Sequence, residues 1–182
     1  SPTGTGSIPP FCRFCDMVRT LRYRGGIVNG YPSRLHYTSE WLLQAQRNGI
    51  LREITRELGG IPLDQEFSFM SAHRDNYPQL RNDPEASERI RRAELQLDTA
   101  TAYYYIPSGK IPEIEDNILD GDIICFVSKT PGLDITHVGI ACRDNDGSLH
   151  FIHASMREGK VVFEKKTLAQ YAGNGIRVAR LL

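Results

Sequence analysis

The chain has 182 residues, with 22 basic and 22 acidic side chains, 40% hydrophobic residues and 9% aromatics. That length suits one domain with a real core, and the balanced charge lacks the excess of Lys and Arg that draws proteins to nucleic acids or membrane surfaces. No run approaches the roughly 18 apolar residues of a membrane span, and the first residues do not follow the basic-then-apolar order of a leader peptide.

The opening SPTGTGSIPP is small, polar and proline-bearing, the pattern of a loop entered midway. A single domain over residues 1–182 that lacks its N-terminal segment is therefore expected. Phe11 to Arg22 is the first expected helix, with Phe11, Cys15, Val18 and Leu21 or Arg22 at helical spacing before Gly25-Gly26. After a loop through Gly30, Tyr31, Pro32 and Ser33, Ser39 is expected to cap a second helix, with Trp41, Leu42 and Ala45 as its apolar stripe and Gly49 as its stop. From Leu51 to Ile61 either a short strand or a frayed helix fits, with no consequence expected for the rest of the chain.

Asp83-Pro84-Glu85 starts a helix expected to run to about Ala100, with Pro at the first helical position and acids at the positive end of the dipole. Tyr103 to Tyr105 is read as a buried strand, with a ligand platform as the alternative. Strands follow from Asp122: the run through Ile123 and Val127, then Thr136–Arg143, Leu149–Ala154, Val161–Phe163 and Ile176–Leu181. Their near-continuous apolar character predicts cover on both faces. Thr167 opens a short helix that Gly173 closes. Helices first and strands last make the fold class α+β, a helical lobe on a mostly antiparallel sheet.

The four cysteines are Cys12, Cys15, Cys125 and Cys142, too few for a disulfide scaffold. Cys12 and Cys15 have the separation of a zinc knuckle, but no second pair follows at finger spacing, so no metal is expected. Cys125 and Cys142 are read as small core residues on strands. His73, in Ser71-Ala72-His73, is read as bracing its loop as readily as binding a ligand.

His137 and His153 fall on strands joined by Asp144-Asn145-Asp146-Gly147, a hairpin signal. Side chains alternate along a strand, so the two imidazoles share a face only if the loop is odd. A three-residue loop pairs Asp144 with Ser148 and sets His137 diagonal to His153, a five-residue loop sets them directly opposite, and a four-residue loop splits them across the sheet. On one face, one ring would act as base and the other as its neutral orienter, against the alternative of two ordinary histidines satisfied by backbone.

The stretch DGDIICFVSKTPGLDITHVGIACRDNDGSLHFIHAS resembles the C-terminal core of NlpC-type papain-like cysteine hydrolases. RYRGGIVNGYPSRLHYTSEW and SFMSAHRDNYPQL resemble the N-acetylmuramoyl-L-alanine amidase-like branch of that superfamily, and the similarity runs from about Leu21 to Leu182. The resemblance implies His137 as general base, His153 as the third triad member, and peptidoglycan fragments (muropeptides) as substrate, with no cofactor. It also implies a bacterial periplasmic or extracellular setting. In that branch the nucleophilic Cys opens a helix in an Asp-Cys-Thr-like motif well upstream of Arg22-Tyr23-Arg24; this chain has no such motif, and Cys12 and Cys15 lie too close to align with it. The nucleophile is therefore expected upstream of this chain, with Cys12 or Cys15 as the alternative. Arg34, His36 and Tyr37 are the expected substrate contacts, because Arg matches carboxylates and Tyr sugar hydroxyls; bracing of the loop is the alternative. A stem-peptide endopeptidase and a catalytically inactive muropeptide-binding module are the rival functions.

Overall fold

The structure is a computed structural model and describes residues 10–182; the expected opening loop lies outside the described residues apart from Pro10. The helices are α1 (Phe11–Arg22), α2 (Thr38–Arg47), α3 (Phe69–Ala72), α4 (Pro78–Arg81), α5 (Pro84–Asp98), α6 (Ile111–Ile114) and α7 (Leu168–Tyr171). The strands are β1 (Leu51–Glu53), β2 (Ile61–Leu63), β3 (Tyr103–Tyr105), β4 (Ile123–Val127), β5 (Ile135–Arg143), β6 (Leu149–Ser155), β7 (Lys160–Phe163) and β8 (Ile176–Leu181). Six strands form one antiparallel sheet in the order β1-β8-β4-β5-β6-β7, and β2 pairs with β3 apart from it. The α+β class is as expected.

Local chemistry explains several boundaries. Asp83 caps α5 by accepting from Ala86 N at 2.8 Å, and Pro84 occupies the first turn, where its missing N–H costs nothing. Thr167 and Gln170 close a capping box on α7. At α2 the expectation needs correction. Ser39 lies inside the helix and does not cap it; its backbone N–H donates instead to Asp134 Oδ2 at 2.7 Å, so a carboxylate from the start of β5 caps the helix from outside.

The segment after Leu51 also matters more than expected. It contains β1, and Glu53 there takes a bidentate bond from Arg177 on β8 at 2.8 and 2.9 Å. Arg177 is fully buried, donates to Ser39 Oγ at 2.6 Å and lies over the Tyr103 ring at 5.1 Å. One side chain thus ties the sheet to α2 and β3. A buried cation is tolerated only because every face of it is satisfied.

The two faces of the sheet bury different cores. Ile123, Cys125, Val127, Ile135 and Ala179 pack toward α2 through Leu42 and Ala45. Ile124, Phe126, Ala141, Phe151, Ile176 and Val178 face the other way, under Ile111, Ile118, Leu168 and Ala172. The helical lobe has its own core around Tyr37, Phe67, Ile90 and Leu97. Two-sided cover does not extend across the sheet as expected: Val138 and Ile140 on β5 and Val161 and Phe163 on β7 are exposed, because the lobe covers only the β1-β8-β4 half.

Candidate active site

The β5–β6 hairpin decides what the histidines can do. Asp144 N donates to Ser148 O at 3.1 Å across a loop of Asn145, Asp146 and Gly147, the last at φ +89°. This is the odd loop closed by a left-handed Gly. Cys142 then pairs with His150 and Ile140 with Ile152, which places Gly139 across from His153 and His137 one step further on, on the same face. The rings meet: His137 Nε2 and His153 Nδ1 are 2.7 Å apart, with the rings perpendicular.

Small side chains make this contact geometrically feasible. A Cβ on Gly139 would lie 2.5 Å from Cδ2 of Phe151, so the glycine leaves room for that ring to pack against His153. Phe151 is fully buried and touches Phe126, Tyr171 and His153 at centroid distances of 5.0, 4.8 and 5.1 Å. His137 also stacks on Phe126 at 6.0 Å. Burial, and then the neighbouring His153, lower the His137 pKa from its ordinary 6.5. The ring is therefore neutral at neutral pH and able to accept a proton. Two imidazoles at this distance do not both protonate without repulsion. His137 opens on a cleft of about 190 Å³, lined also by Phe126, Thr136, Tyr171 and Asn174.

No cysteine on the sheet faces this cleft. Cys125 and Cys142 both project from the opposite face, and burial pushes the Cys125 thiol up to about 12, which makes it inert as a nucleophile. Cys142 is half-buried and not a full core residue. Cys12 and Cys15 are exposed on α1, which packs against α2. Among the described residues no group of metal-ligating side chains is assembled.

The expected substrate loop belongs to the helical lobe. Arg34 forms a backbone bridge with Tyr23, lies 5.9 Å from the Tyr31 ring, and has a buried Nε with no hydrogen-bond partner. His36 donates from Nε2 to Tyr31 O at 3.0 Å and packs on that ring, and burial lowers its pKa. Tyr37 is buried, with its hydroxyl donating to Glu94 at 2.7 Å and accepting from Met70 N at 3.0 Å, so both of its bonds brace the lobe. Among the described residues no hydrogen bond or ion pair joins these three to His137 or His153. Their link is indirect, through Ser39 and Asp134 to the start of β5. His73 takes the bracing role, Nδ1 donating to Phe69 O at 2.8 Å. In the Gly-Asp motif, Asp122 is buried and accepts from Arg180 at 2.8 and 2.7 Å, a structural duty.

Sequence reasoning missed Glu164, whose Oε2 lies 3.5 Å from His153 Nε2, and Tyr171, whose ring lies 6.0 Å from that of His153. Alternation along β7 carried a signal for Glu164, since Val162 pairs with His153 and Glu164 stands two residues on.

The chain is thus an α+β protein in which a helical lobe packs on an antiparallel sheet and two hydrogen-bonded imidazoles open on a cleft. The chain belongs to the AmiA-like family, N-acetylmuramoyl-L-alanine amidase-like, whose model matches residues 9–176. It is similar to an N-acetylmuramoyl-L-alanine amidase from Bacteroides uniformis, at 37% identity and TM-score 0.89 over 95% of this chain and 75% of that one. It is similarly close to a Bacteroides fragilis protein provisionally designated a xylanase, at 37% identity and TM-score 0.88 over 98% of this chain and 79% of that one. A Legionella pneumophila protein at 23% identity and TM-score 0.67, over 93% of this chain and 69% of that one, shares the fold. Comparison with curated proteins found no match.

Proposed function

We propose that the chain is the histidine-bearing domain of a cysteine amidase of NlpC-type papain-like fold that cleaves the N-acetylmuramoyl-L-alanine amide of muropeptides. The observation that carries the reading is the 2.7 Å contact of His137 Nε2 with His153 Nδ1. His137 takes the thiol proton at Nδ1, the thiolate attacks the lactyl carbonyl, and the amine of the departing peptide receives the proton from the imidazolium. Water then attacks the thioester, giving up its proton to His137 and releasing the carboxylate and the thiol. The orientation of Cys125 and Cys142 away from the cleft supports a nucleophile supplied by a segment upstream of this chain. Substrate contacts are assigned to Arg34, whose guanidinium fork matches a carboxylate, and to His36; Tyr37 holds the loop in shape. Such a substrate sets the protein in the bacterial periplasm or outside the cell.

The family match and the amidase relative support amide over glycoside hydrolysis, and so does the cleft. Glycosidases commonly work with two carboxyl groups flanking the bond, whereas the residues lining the cleft beside His137 include none. Defined muropeptides incubated with the full-length protein, with products read by mass, test the proposal. Release of an intact stem peptide from the sugar is expected, and His137→Ala should abolish it. Cuts confined to the stem peptide would favour the endopeptidase, and binding without turnover the inactive module.

A further inference from the structure

His153 presents a second ring nitrogen that the base-and-orienter pair leaves unexplained. Its Nε2 is buried and has no hydrogen-bond partner. Glu164 Oε2 lies 3.5 Å from it, long for a hydrogen bond but within ion-pair reach. The carboxylate is held on that side from two points. Glu164 N donates to Phe151 O at 2.9 Å, which continues the β6–β7 register past Phe163, and Oε1 accepts from Lys166 N at 3.0 Å. His137 on β5, His153 on β6 and Glu164 at the end of β7 therefore form one row across the same face of the sheet. Phe151 and Tyr171 pack against the middle ring.

One proton is shared between the two imidazoles, and it has two resting places. If it sits on His137 Nε2, then His153 accepts at Nδ1 and carries its own proton at Nε2, facing Glu164, and His137 Nδ1 is bare. If it sits on His153 Nδ1, the bare Nε2 lone pair faces the carboxylate, two acceptors in opposition, and His137 Nδ1 is protonated. Only the first arrangement leaves a lone pair at His137 Nδ1 to act as base.

We propose that Glu164 is a positioning residue that selects the first arrangement, acting through His153 to keep His137 Nδ1 free. This rests on the amidase reading for its purpose, though not for its test. The test uses the 182-residue chain, labelled with ¹⁵N, and long-range ¹H–¹⁵N correlation spectra at about pH 8, which report the nitrogen that carries the proton in each ring. In the wild type His153 is expected to be protonated at Nε2 with a bias of at least about tenfold. Glu164→Gln, isosteric at a partly exposed side chain, is expected to reduce that bias several-fold while the thermal midpoint is retained; Glu164→Ala gives the same readout should the Gln variant not fold. A wild-type His153 protonated at Nδ1, or tautomers unchanged in the variant, would overturn the proposal. Turnover on muropeptides is scored separately, on the full-length protein that includes the upstream segment. The expected tautomers without amide cleavage would sink the amidase reading alone, and cleavage with the opposite tautomer would sink the role of Glu164 alone.

Discussion

Gly139→Ala puts the packing argument at the site to a direct test. The added methyl would stand 2.5 Å from Phe151 Cδ2 and 3.2 Å from Ile152 O, where carbon contacts normally lie about 3.5–4.0 Å apart. Relief requires the ring to move by roughly 1 Å. Phe151 is fully buried and held by Phe126, Tyr171 and His153, so it cannot move without shifting His153 or parting β5 from β6. Overpacking of this kind costs about 1–3 kcal/mol. A shift near 1 Å would also carry the 2.7 Å imidazole contact out of hydrogen-bond range, and misplacement on that scale costs about 100-fold in rate. Urea unfolding reads the first effect, and the ring N–H signals of the two histidines read the second. Gly109→Ala, where an added Cβ meets nothing within 4 Å, is the control and should stay within about 0.5 kcal/mol of wild type. A Gly139→Ala chain with an unchanged midpoint and an intact histidine pair would refute the reasoning.

Tyr37→Phe removes the bonds to Glu94 and Met70 N, leaving buried polar groups unmet, and should lose about 1–3 kcal/mol in urea unfolding; full stability with weakened muropeptide binding would instead make Tyr37 a substrate contact. Glu53→Ala leaves Arg177 buried without its counter-ion and should cost about 3–5 kcal/mol, whereas a loss below about 1 kcal/mol would show that the pair does not hold β1 to β8. Burial lowers the pKa of both His36 and His137 from 6.5, so the unfolded chain takes up protons before the folded one does. The stability from these residues is thus complete above about pH 6.5 and lost as pH falls toward their folded values. Urea midpoints between about pH 8 and pH 5 should show this fall, less steeply in a His36→Asn/His137→Asn chain; equal slopes in the two chains would count against it.

What the sequence made legible was local. The run Asp144 to Gly147 carries its own turn chemistry, and once the loop has three residues the meeting of His137 and His153 follows from strand alternation alone. Asp83-Pro84 likewise marks the start of α5 by groups adjacent in the chain. What stayed hidden depends on partners far away in sequence. Glu53 and Arg177 are separated by 124 positions, and nothing within β1 or β8 announces their register. Ser39 looks like a cap because Ser often is one, yet Asp134, brought in from the start of β5, takes its place as the acceptor at the helix start. The exposed side of β5 was illegible for a similar reason, since apolar residues in a strand reveal its propensity and not how far a neighbouring lobe extends.

A single irregularity reconciles the two duties of β5. Phe126 pairs with His137 and Val127 with Ile135, so Thr136 is an extra residue bulged out of the ladder, its hydroxyl donating to Phe126 O at 3.2 Å. Without the bulge, Ile135 and His137 would project from the same face. Then either Ile135 would leave the core it forms with Leu42, Ala45 and Val127, or His137 would turn into that core, away from His153. With it, alternation reverses within one residue: Ile135 stays with the helical lobe and His137 faces the cleft. The same step explains why neither Cys125 nor Cys142 can serve the histidine pair. Both follow the regular alternation of the lobe-facing side, and a thiol that reaches His137 Nδ1 must approach from the face on which Phe126, Phe151 and Tyr171 surround the two rings.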